Sequence, residues 1–366
     1  MDHTLLMRAA VQEGPGALES WKCWLEAVDI ERADLDVISY RLLPLVYHNL
    51  AGQNADHPLL GKLKGIYRQA WLENQLFLQR VVPIIYQLRD REISVILLDD
   101  LTSILGLYNG QGVRRLYSLD ILVWPPDVAK LLAYFEERKI WAKVGHAERF
   151  LAVETPLEVW PPFDLPCSFA WRVHPWIRTQ EEASAAWRHA VPAVLGRCPV
   201  LTLGLEDHFL RSCLRGIGGN AEPAFFSLID VAWMLRAQAG DIDRERLVEL
   251  ARSNHQALPA SECLQSIAAD LDMPAAKELL EHLRELPVSW ADHLEHRWVS
   301  QNRPHPGLLI LIGRRLLLYR RSIKIPGPFG FLRYLQFAWG GGRLLCLPGL
   351  ALHHFRSALA RREQIQ

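Results

Sequence analysis

The sequence predicts an α+β protein in which one small mixed sheet is flanked by a helical N-terminal segment and a larger helical C-terminal half. Amphipathic patterns typical of helices fill the first 90 residues and return after residue 179. Apolar runs with the short length or the period of two that indicate strands occur only between Ile93 and Val173. The 366 residues are 50% hydrophobic, which suffices for a large core and excludes a disordered or collagen-like chain.

These patterns divide the chain into four regions. They are a helical N-terminal segment (1–90), an α/β core (91–178), a helical domain (179–300) and a basic, apolar C-terminal segment (301–366). In the first region, apolar residues recur at spacings of three and four between Leu63 and Leu88, which places them on one stripe of a long helix. Pro83 is expected to kink or restart that helix, because proline cannot donate a backbone hydrogen bond.

The second region contains the predicted strands. Residues 93–98 (ISVILL) form a short apolar run that predicts a buried strand, and Asp99 and Asp100 follow it. Apolar residues alternate with others over 118–123, which predicts a second strand. Three more strand candidates are RFLAVE (149–154), LEVW (157–160) and SFAWRV (168–173). We expect one sheet from these segments, with Asp120 in the C-terminal half of its strand and beside the Asp99-Asp100 turn.

Charge is unevenly distributed although the formal net charge is zero. The sequence has 41 Lys and Arg residues and 41 Asp and Glu residues. Region 301–366 alone contains eleven Lys or Arg residues and one acid, Glu363, so it carries +10 and the rest of the chain −10. We therefore expect this segment to dock on the acidic body or on a protein or peptide partner. Weak contact of 306–366 with a membrane surface is an alternative, and no nucleic acid is expected because the acidic body would repel phosphates.

The six cysteines are scattered, without a C-x-x-C pair or a metal-ligand spacing. The first residues show no apolar leader, and no apolar run reaches the about 20 residues of a membrane span. These features predict a cytoplasmic protein, which would lie at the inner membrane face only if its C-terminal segment contacts lipid.

A distinctive order of elements and side chains surrounds the first two predicted strands. Tyr108 follows the short helix after the first strand, Arg114 follows the next turn, and Asp120 lies on the second strand. A later helix, FFSLIDVAWML, carries Asp230, and LRYLQFAW stands near the C-terminus. This order resembles the uncharacterised nucleotidyltransferase family of bacteria, part of the DNA polymerase beta-like superfamily. The resemblance covers most of the chain and implies a nucleotidyltransferase-like sheet.

The resemblance also implies a particular kind of site. Members of the family have a strand that ends in Lys-Gly, an Asp-x-Asp strand and a third Asp on another strand. Carboxylates at alternate positions of a strand point to one face. With the third Asp they would hold two Mg²⁺ ions, which serve the transfer of a nucleoside monophosphate from a nucleoside triphosphate. The Lys-Gly turn would lie against the triphosphate.

This sequence departs from the family pattern at most of those positions. Asp99 and Asp100 stand in place of Lys-Gly, which puts two anions where the triphosphate would lie. Ser118 replaces the first Asp of the Asp-x-Asp pair, and Ser168 replaces the third Asp. Asp120 is the carboxylate that remains in register, and a single carboxylate is a poor site for two metal ions.

The candidate site residues follow from this comparison. They are Asp120 as the residual catalytic and metal-binding residue, Asp99 and Asp100 as replacement catalytic carboxylates, and Arg114 and Ser118 as nucleotide-binding residues. Structural roles remain as alternatives, since Asp99 and Asp100 would also suit the N-cap and first turn of a helix, and Arg114 a solvated turn. Asp164, in a turn four residues before Ser168, is a further candidate for the third carboxylate.

These residues favour a nucleotidyltransferase-fold protein with a degraded metal site, which acts as a non-catalytic binding or accessory protein in a bacterial biosynthetic pathway. One alternative is an active, divergent nucleotidyltransferase that transfers NMP from an NTP to an acceptor. Another is a peripheral membrane adaptor that binds through the basic C-terminal segment. No cofactor is implied except under the enzyme hypothesis, which requires Mg²⁺.

Overall fold

The computed structural model describes residues 3–28, 30, 35–108, 112–139, 157–159, 165–173, 180–216, 221–300, 308–322 and 329–338. The helices in these residues are α1 (His3–Val11), α2 (Pro15–Ala27), α3 (Val37–Gly52), α4 (Leu60–Arg89), α5 (Asp99–Gly106), α6 (Val128–Glu137), α7 (Gln180–Arg188), α8 (Leu205–Arg215), α9 (Ala221–Ala237), α10 (Arg244–Ser253), α11 (Ala257–Leu271), α12 (Pro274–Arg284), α13 (Trp290–Ser300), α14 (Leu308–Ser322) and α15 (Gly330–Ala338). The strands are β1 (Val95–Leu97), β2 (Leu119–Val123), β3 (Leu157–Val159), β4 (Cys167–Ala170), β5 (Val191–Leu195) and β6 (Cys198–Thr202). The expected α+β class, with a helical N-terminus and a larger helical C-terminal half, is confirmed.

The N-terminal segment packs as a layer of four helices. Trp21 and Trp24 stack with their ring centroids 5.4 Å apart and are buried in the main core. Asn49 ties α3 to α1 by donating to the backbone oxygen of Ala9 at 2.8 Å. Helix α4 continues through Pro83, so the expected restart at this proline does not occur. Pro83 lies on the exposed side of α4, where water can satisfy the carbonyl that loses its donor.

The six strands form one mixed sheet in the order β3-β4-β2-β1-β6-β5. Strand β1 pairs antiparallel with β2 and parallel with β6, and β2 pairs parallel with β4. The two edge strands, β3 and β5, are antiparallel to their neighbours. The strands predicted at 93–98 and 118–123 are therefore adjacent in one sheet, as expected.

The sheet extends beyond the segment from Ile93 to Val173, which corrects the expectation that all strands lie there. Strands β5 and β6 lie in a region that was expected to be helical, and β6 pairs with β1. The hairpin carries Pro192 and Pro199, which break the strand pattern in the sequence. Its turn contains Gly196 at a φ of 65°, a conformation that glycine adopts without strain.

A second correction concerns the position of Asp120. Strand β2 begins at Leu119, so Asp120 is its second residue and lies in the N-terminal half of the strand. Of the three further strand candidates, LEVW and SFAWRV correspond to β3 and β4, whereas RFLAVE at 149–154 lies outside the described residues.

Both faces of the sheet are covered, and the period of two assigns side chains to them. Ile121 and Phe169 face the main core, which helices from both halves of the chain share. Leu122 and Ala170 face a smaller apolar cluster that α7 helps to close. Asp120 is two residues before Leu122, so it lies on the side of this smaller cluster.

The described part of the C-terminal segment contacts the helical domain. Helix α14 packs against α13 at Gly313, where an added Cβ would lie 2.6 Å from the indole ring of Trp298. Arg315 donates to the hydroxyl of Tyr334 at 3.4 Å, which joins α14 to α15. Among the helices that the structure describes, none has the length and apolar character needed to cross a membrane.

Candidate functional site

The predicted site residues converge at one end of the sheet, where β1 ends and β2 and β4 begin. The backbone N–H of Leu98 donates to the carbonyl oxygen of Asp120 at 2.9 Å, which fixes the start of α5 beside Asp120. Asp120 is directly opposite Ser168 on the parallel strand β4. Ser118 precedes Asp120 by two residues and so lies on the same face. The positions to which the resemblance assigns three carboxylates are therefore neighbours in space.

Asp120 is held in an environment that favours its neutral form. The hydroxyl of Ser118 donates to Asp120 Oδ2 at 2.7 Å. Burial, together with the negative charge of Asp99, raises the pKa of Asp120 to about 6. Burial and the nearby Asp120 also raise the pKa of the Cys167 thiol to about 12. Asp120 therefore titrates closer to neutral pH than an ordinary aspartate does, although it is still mostly ionised at pH 7.

Asp99 is buried and is engaged by two arginines of α8. Arg211 donates from Nε to Asp99 Oδ1 at 2.7 Å and from Nη2 to Oδ2 at 2.9 Å. Arg215 forms a second ion pair with Asp99 Oδ2. Burial alone would raise the pKa of Asp99, but the two guanidinium groups outweigh it and hold that pKa well below its usual range. Asp99 is thus a fully compensated anion.

The backbone of Asp99 and the remaining guanidinium nitrogen of Arg211 add two further constraints. Asp99 has a φ of 51°, in the left-handed region that aspartate tolerates better than most residues. Arg211 also donates from Nη1 to the backbone oxygen of Val173 at 2.9 Å, just beyond the end of β4. Arg211 therefore joins the strand-to-helix turn after β1 to the chain that leaves β4.

A second ion-pair cluster contains Asp100, Arg114 and Asp230. Arg114 donates from Nη1 to both carboxylate oxygens of Asp230, each at 2.7 Å, and from Nη2 to Asp100 Oδ1. Burial opposes the charge of Arg114, but Asp100 and Asp230 outweigh it and raise the pKa of Arg114 further. The guanidinium also lies 5.3 Å from the ring centroid of Phe226 on α9. Arg114 is therefore a buried, permanently charged link between α5 and α9.

Asp230 is the centre of a buried polar network. It accepts hydrogen bonds from the hydroxyl of Ser103 at 2.8 Å and from the hydroxyl of Tyr108. Burial and the charge of Asp230 raise the pKa of Tyr108 well above its usual value, so the phenol stays neutral. Ser103, Tyr108 and Arg114 therefore all donate to this carboxylate.

His208 on α8 completes the network as a neutral imidazole. Its Nε2 lies 3.1 Å from Ser103 Oγ. The single hydroxyl proton of Ser103 is directed to Asp230, so Ser103 can only accept from His208, and the proton of His208 is on Nε2. Burial lowers the pKa of His208 to about 4, against the opposing charges of Asp230 and Asp99. His208 thus contributes no positive charge near neutral pH.

The structure brings the predicted residues together but changes the contacts expected for them. Asp99 and Asp100 begin α5, as the structural alternative proposed, yet the N-cap position is Leu98 and no side chain caps the helix. Arg114 is not in a solvated turn, because its side chain is only 11% exposed. Asp164 lies outside the described residues. The catalytic, metal-binding and nucleotide-binding roles of the candidates remain predictions.

The residues that neutralise this end of the sheet are not evident from the sequence. Arg211 and Arg215 have the pattern of an amphipathic helix, and Ser103 lies in a short helix. The available signal was the spacing of four residues between Arg211 and Arg215, which places both on one face of α8. A buried acid such as Asp99 requires such cations, because unpaired buried charges are costly.

The donor set at this end of the sheet does not fit a pair of Mg²⁺ ions. Mg²⁺ prefers ionised carboxylate oxygens in octahedral geometry. Asp99 and Asp100 already bind guanidinium groups, and Ser118 and Ser168 offer only neutral hydroxyl oxygens. Across the part of the chain that the structure describes, no group of three or more His, Cys, Asp or Glu side chains is placed to hold a metal ion.

Comparison with known proteins places this fold and site in a family. A family model described as "Uncharacterised nucleotidyltransferase" matches residues 27–269, a span that contains the whole sheet, both ion-pair clusters and Asp230. No curated protein and no solved structure gives a significant match to the chain. The matched span exceeds half of the sequence and agrees with the order of elements and side chains described above. The chain therefore belongs to the uncharacterised nucleotidyltransferase family.

Proposed function

We propose that this member of the family is a non-catalytic binding or accessory protein in a bacterial biosynthetic pathway. The observation that carries the proposal is the pairing of Asp99 with Arg211. Both carboxylate oxygens of Asp99 accept from the same guanidinium, at 2.7 and 2.9 Å, at the position where the family has the Lys of its Lys-Gly turn. The residue expected to receive the triphosphate is thus an anion that already has its counterions.

The charge requirements of nucleotidyl transfer support this proposal. A working site cancels the charge of the triphosphate with metal ions, a Lys or Arg side chain and backbone N–H groups. Here Arg211 and Arg215 are committed to Asp99, and Arg114 is committed to Asp100 and Asp230. To use one of these three cations, a triphosphate would have to displace a carboxylate from its guanidinium. Such pairs are costly to break once they are buried.

The active-enzyme alternative has one observation in its favour. The charges of Asp99 and Asp100 both contribute to the raised pKa of Asp120, so the three carboxylates lie close to one another. If the arginines moved away on nucleotide binding, these three side chains could serve as replacement ligands. That hypothesis requires ionised Asp120 and release of Asp99 from Arg211 and Arg215.

A transfer assay separates the two functions. The purified protein is incubated with Mg²⁺ and ATP labelled at the α-phosphate, in the presence of a heat-treated bacterial extract as a source of acceptors. We expect neither label transfer nor pyrophosphate release above the level of a no-protein control. The variants Asp120→Asn and, as a matched exposed control, Asp241→Asn should give the same background. Mg²⁺-dependent labelling that Asp120→Asn abolishes and Asp241→Asn retains would replace the accessory function with the enzyme.

A further inference from the structure

Helix α4 exposes large apolar side chains along one face. Leu72 is 55% exposed, Leu76 51%, Trp71 44% and Tyr86 39%. These four are among the largest exposed apolar side chains in the described part of the chain. The opposite face of the helix is buried in the main core, with Leu63, Leu78 and Leu88 among its contacts. The exposed face therefore belongs to a firmly anchored helix and cannot be hidden by a simple rotation.

The same face is positively charged. Helix α4 contains five basic residues, Lys62, Lys64, Arg68, Arg80 and Arg89, all of them exposed, and one acid, Glu73. Glu73 pairs with Arg115 of the neighbouring loop, whose Nε lies 2.8 Å from Glu73 Oε2. The helix is thus a basic strip on a body, residues 1–300, that is acidic overall.

The exposed apolar side chains of α4 form a narrow strip along the helix, here called the crest, with a border of other residues on each side. At about 100° per residue, Leu72, Leu76 and Tyr86 fall within an arc of about 80°. Lys64 and Trp71 lie along one border of that arc, and Arg80 along the other. The 30 residues of α4 make it about 45 Å long, so the strip is long, and like any exposed helix face it is convex.

We propose that this face of α4 lies on an anionic lipid surface. An apolar crest with a tryptophan, flanked by Lys and Arg whose long side chains reach the headgroups, is the arrangement of a helix that rests in a membrane interface. The convex crest offers no groove into which a partner helix could bind. It suits a planar lipid surface better. The excess of positive charge on α4 matches the negative potential of anionic lipid headgroups.

The exposed side chains of this surface are distinct from the carboxylates at the end of the sheet, although the buried face of α4 contacts the Arg114–Leu116 loop through Asn74. The residues of the surface lie on the first long helix of the chain, and none of them touches Asp99, Asp120 or Arg211 in the described contacts. Lipid binding through α4 would therefore persist whether or not the protein transfers nucleotides.

The test is co-sedimentation of the full chain with two kinds of vesicle, one of phosphatidylcholine alone and one rich in phosphatidylglycerol. The α4 variant is Leu72→Glu with Leu76→Glu, which alters two half-exposed side chains and should fold normally. Val194→Glu, on the exposed edge strand β5, is the matched control, since Val194 is 62% exposed. Phe329→Glu with Leu332→Glu tests the C-terminal segment. Circular dichroism melting checks that each variant is folded.

We expect the wild type to bind the anionic vesicles and not the neutral ones, with binding weakened by high salt. The α4 variant should lose about tenfold or more of its partitioning, because two acids replace apolar anchors beside like-charged headgroups. The Val194 control should bind as the wild type does. Absence of wild-type binding to anionic vesicles overturns the proposal, and so does unchanged binding by the folded α4 variant. Loss of binding only in the Phe329 and Leu332 variant would also overturn it.

Discussion

Arg114 donates from a single guanidinium nitrogen to both carboxylate oxygens of Asp230, each at 2.7 Å, and both side chains are almost completely buried. Arg114, Asp230 and Tyr108 are among the residues on which the resemblance to the family rests, and here they form one hydrogen-bonded cluster. The positions that depart from the family pattern, 99, 100, 118 and 168, lie at the end of the sheet where the resemblance would place metal and triphosphate, and Asp100 is also bound by Arg114. The side chains shared with the family thus meet in one buried network, and the departures from the family pattern lie beside it at the ends of the strands.

The buried Asp230 is expected to be one of the most costly side chains to neutralise. Asp230→Asn removes the charge that Arg114 and Tyr108 face, and its amide group would point a donor at other donors. Loss of one partner of a buried ion pair costs about 3–5 kcal/mol of unfolding free energy. Urea denaturation should show this loss, whereas the exposed control Asp241→Asn should match the wild type. A change below about 1 kcal/mol for Asp230→Asn would mean that the network does not stabilise the fold.

The pair of Asp99 and Arg211 is expected to be energetically coupled. A double-mutant cycle with Asp99→Ala and Arg211→Met should give an interaction free energy of at least about 1 kcal/mol, since the pair is buried and doubly hydrogen-bonded. The half-exposed pair Arg91 and Glu137 supplies the control cycle, for which the interaction should be about 0–1 kcal/mol. Equal coupling in the two cycles would contradict the view that Asp99 is a structural anion.

Much of this arrangement could be predicted from the sequence, because it follows from local patterns. The apolar run at 93–98 and the alternation around Asp120 predicted β1 and β2 as neighbours. The Asp120–Ser168 register also agrees with the order of elements that the family shows. The strands themselves follow from hydrophobic periodicity, whereas the proximity of Asp120 and Ser168 is what the resemblance implies.

The features that the sequence does not predict depend on contacts between residues far apart in the chain. Arg211 is 112 residues after Asp99, and nothing in its own helix distinguishes it from a surface arginine. The hairpin of β5 and β6 was overlooked because Pro192 and Pro199 mask its strand pattern. At Pro83 the sequence predicts an interruption that does not occur. A proline on the exposed side of a long helix interrupts the helix less than a proline on its buried side.

Asp120 is expected to make the protein less stable as the pH rises. Its folded pKa of about 6 exceeds the ordinary value of 3.8, so the folded state binds this proton more tightly than the unfolded chain does. The resulting stabilisation is complete below about pH 4 and is lost as the pH rises through about 6, by up to about 3 kcal/mol. Asp120→Asn mimics the protonated form and should therefore be more stable than the wild type at about pH 7.5.

A comparison of the wild type with Asp120→Asn isolates the contribution of the Asp120 carboxyl to stability. His208, whose folded pKa is lowered to about 4, makes both proteins more stable as the pH rises through the same range. Its contribution cancels in the difference between wild type and Asp120→Asn. The urea midpoints of the wild type and of Asp120→Asn should therefore differ more at about pH 7.5 than at about pH 4. A variant that is equally stable or less stable than the wild type at the higher pH would refute the assignment.

Gly313 should tolerate no side chain, whereas Gly65 should accept one. At Gly313 an added Cβ would lie 2.6 Å from Trp298, so Gly313→Ala should loosen α14 from α13 and lower the unfolding free energy. Gly65, in the second turn of α4, has no atom within 4 Å of an added Cβ. Gly65→Ala should stabilise by about 0.5–1 kcal/mol through helix propensity. Urea denaturation should show changes in unfolding free energy of opposite sign for the two variants. A stabilising Gly313→Ala would show that the contact with Trp298 does not hold α14 against α13.

The most direct test of the central claim is a calorimetric titration of the wild-type protein with ATP in the presence of Mg²⁺. The claim is that Asp99, held by Arg211 and Arg215, closes the triphosphate position and that Ser118 and Ser168 leave Asp120 without partners for metal binding. We expect no binding heat from MgATP above that of ATP alone or of dilution. Saturable, Mg²⁺-dependent binding with a micromolar Kd that Asp120→Asn abolishes would contradict it and identify the protein as a divergent but working nucleotidyltransferase.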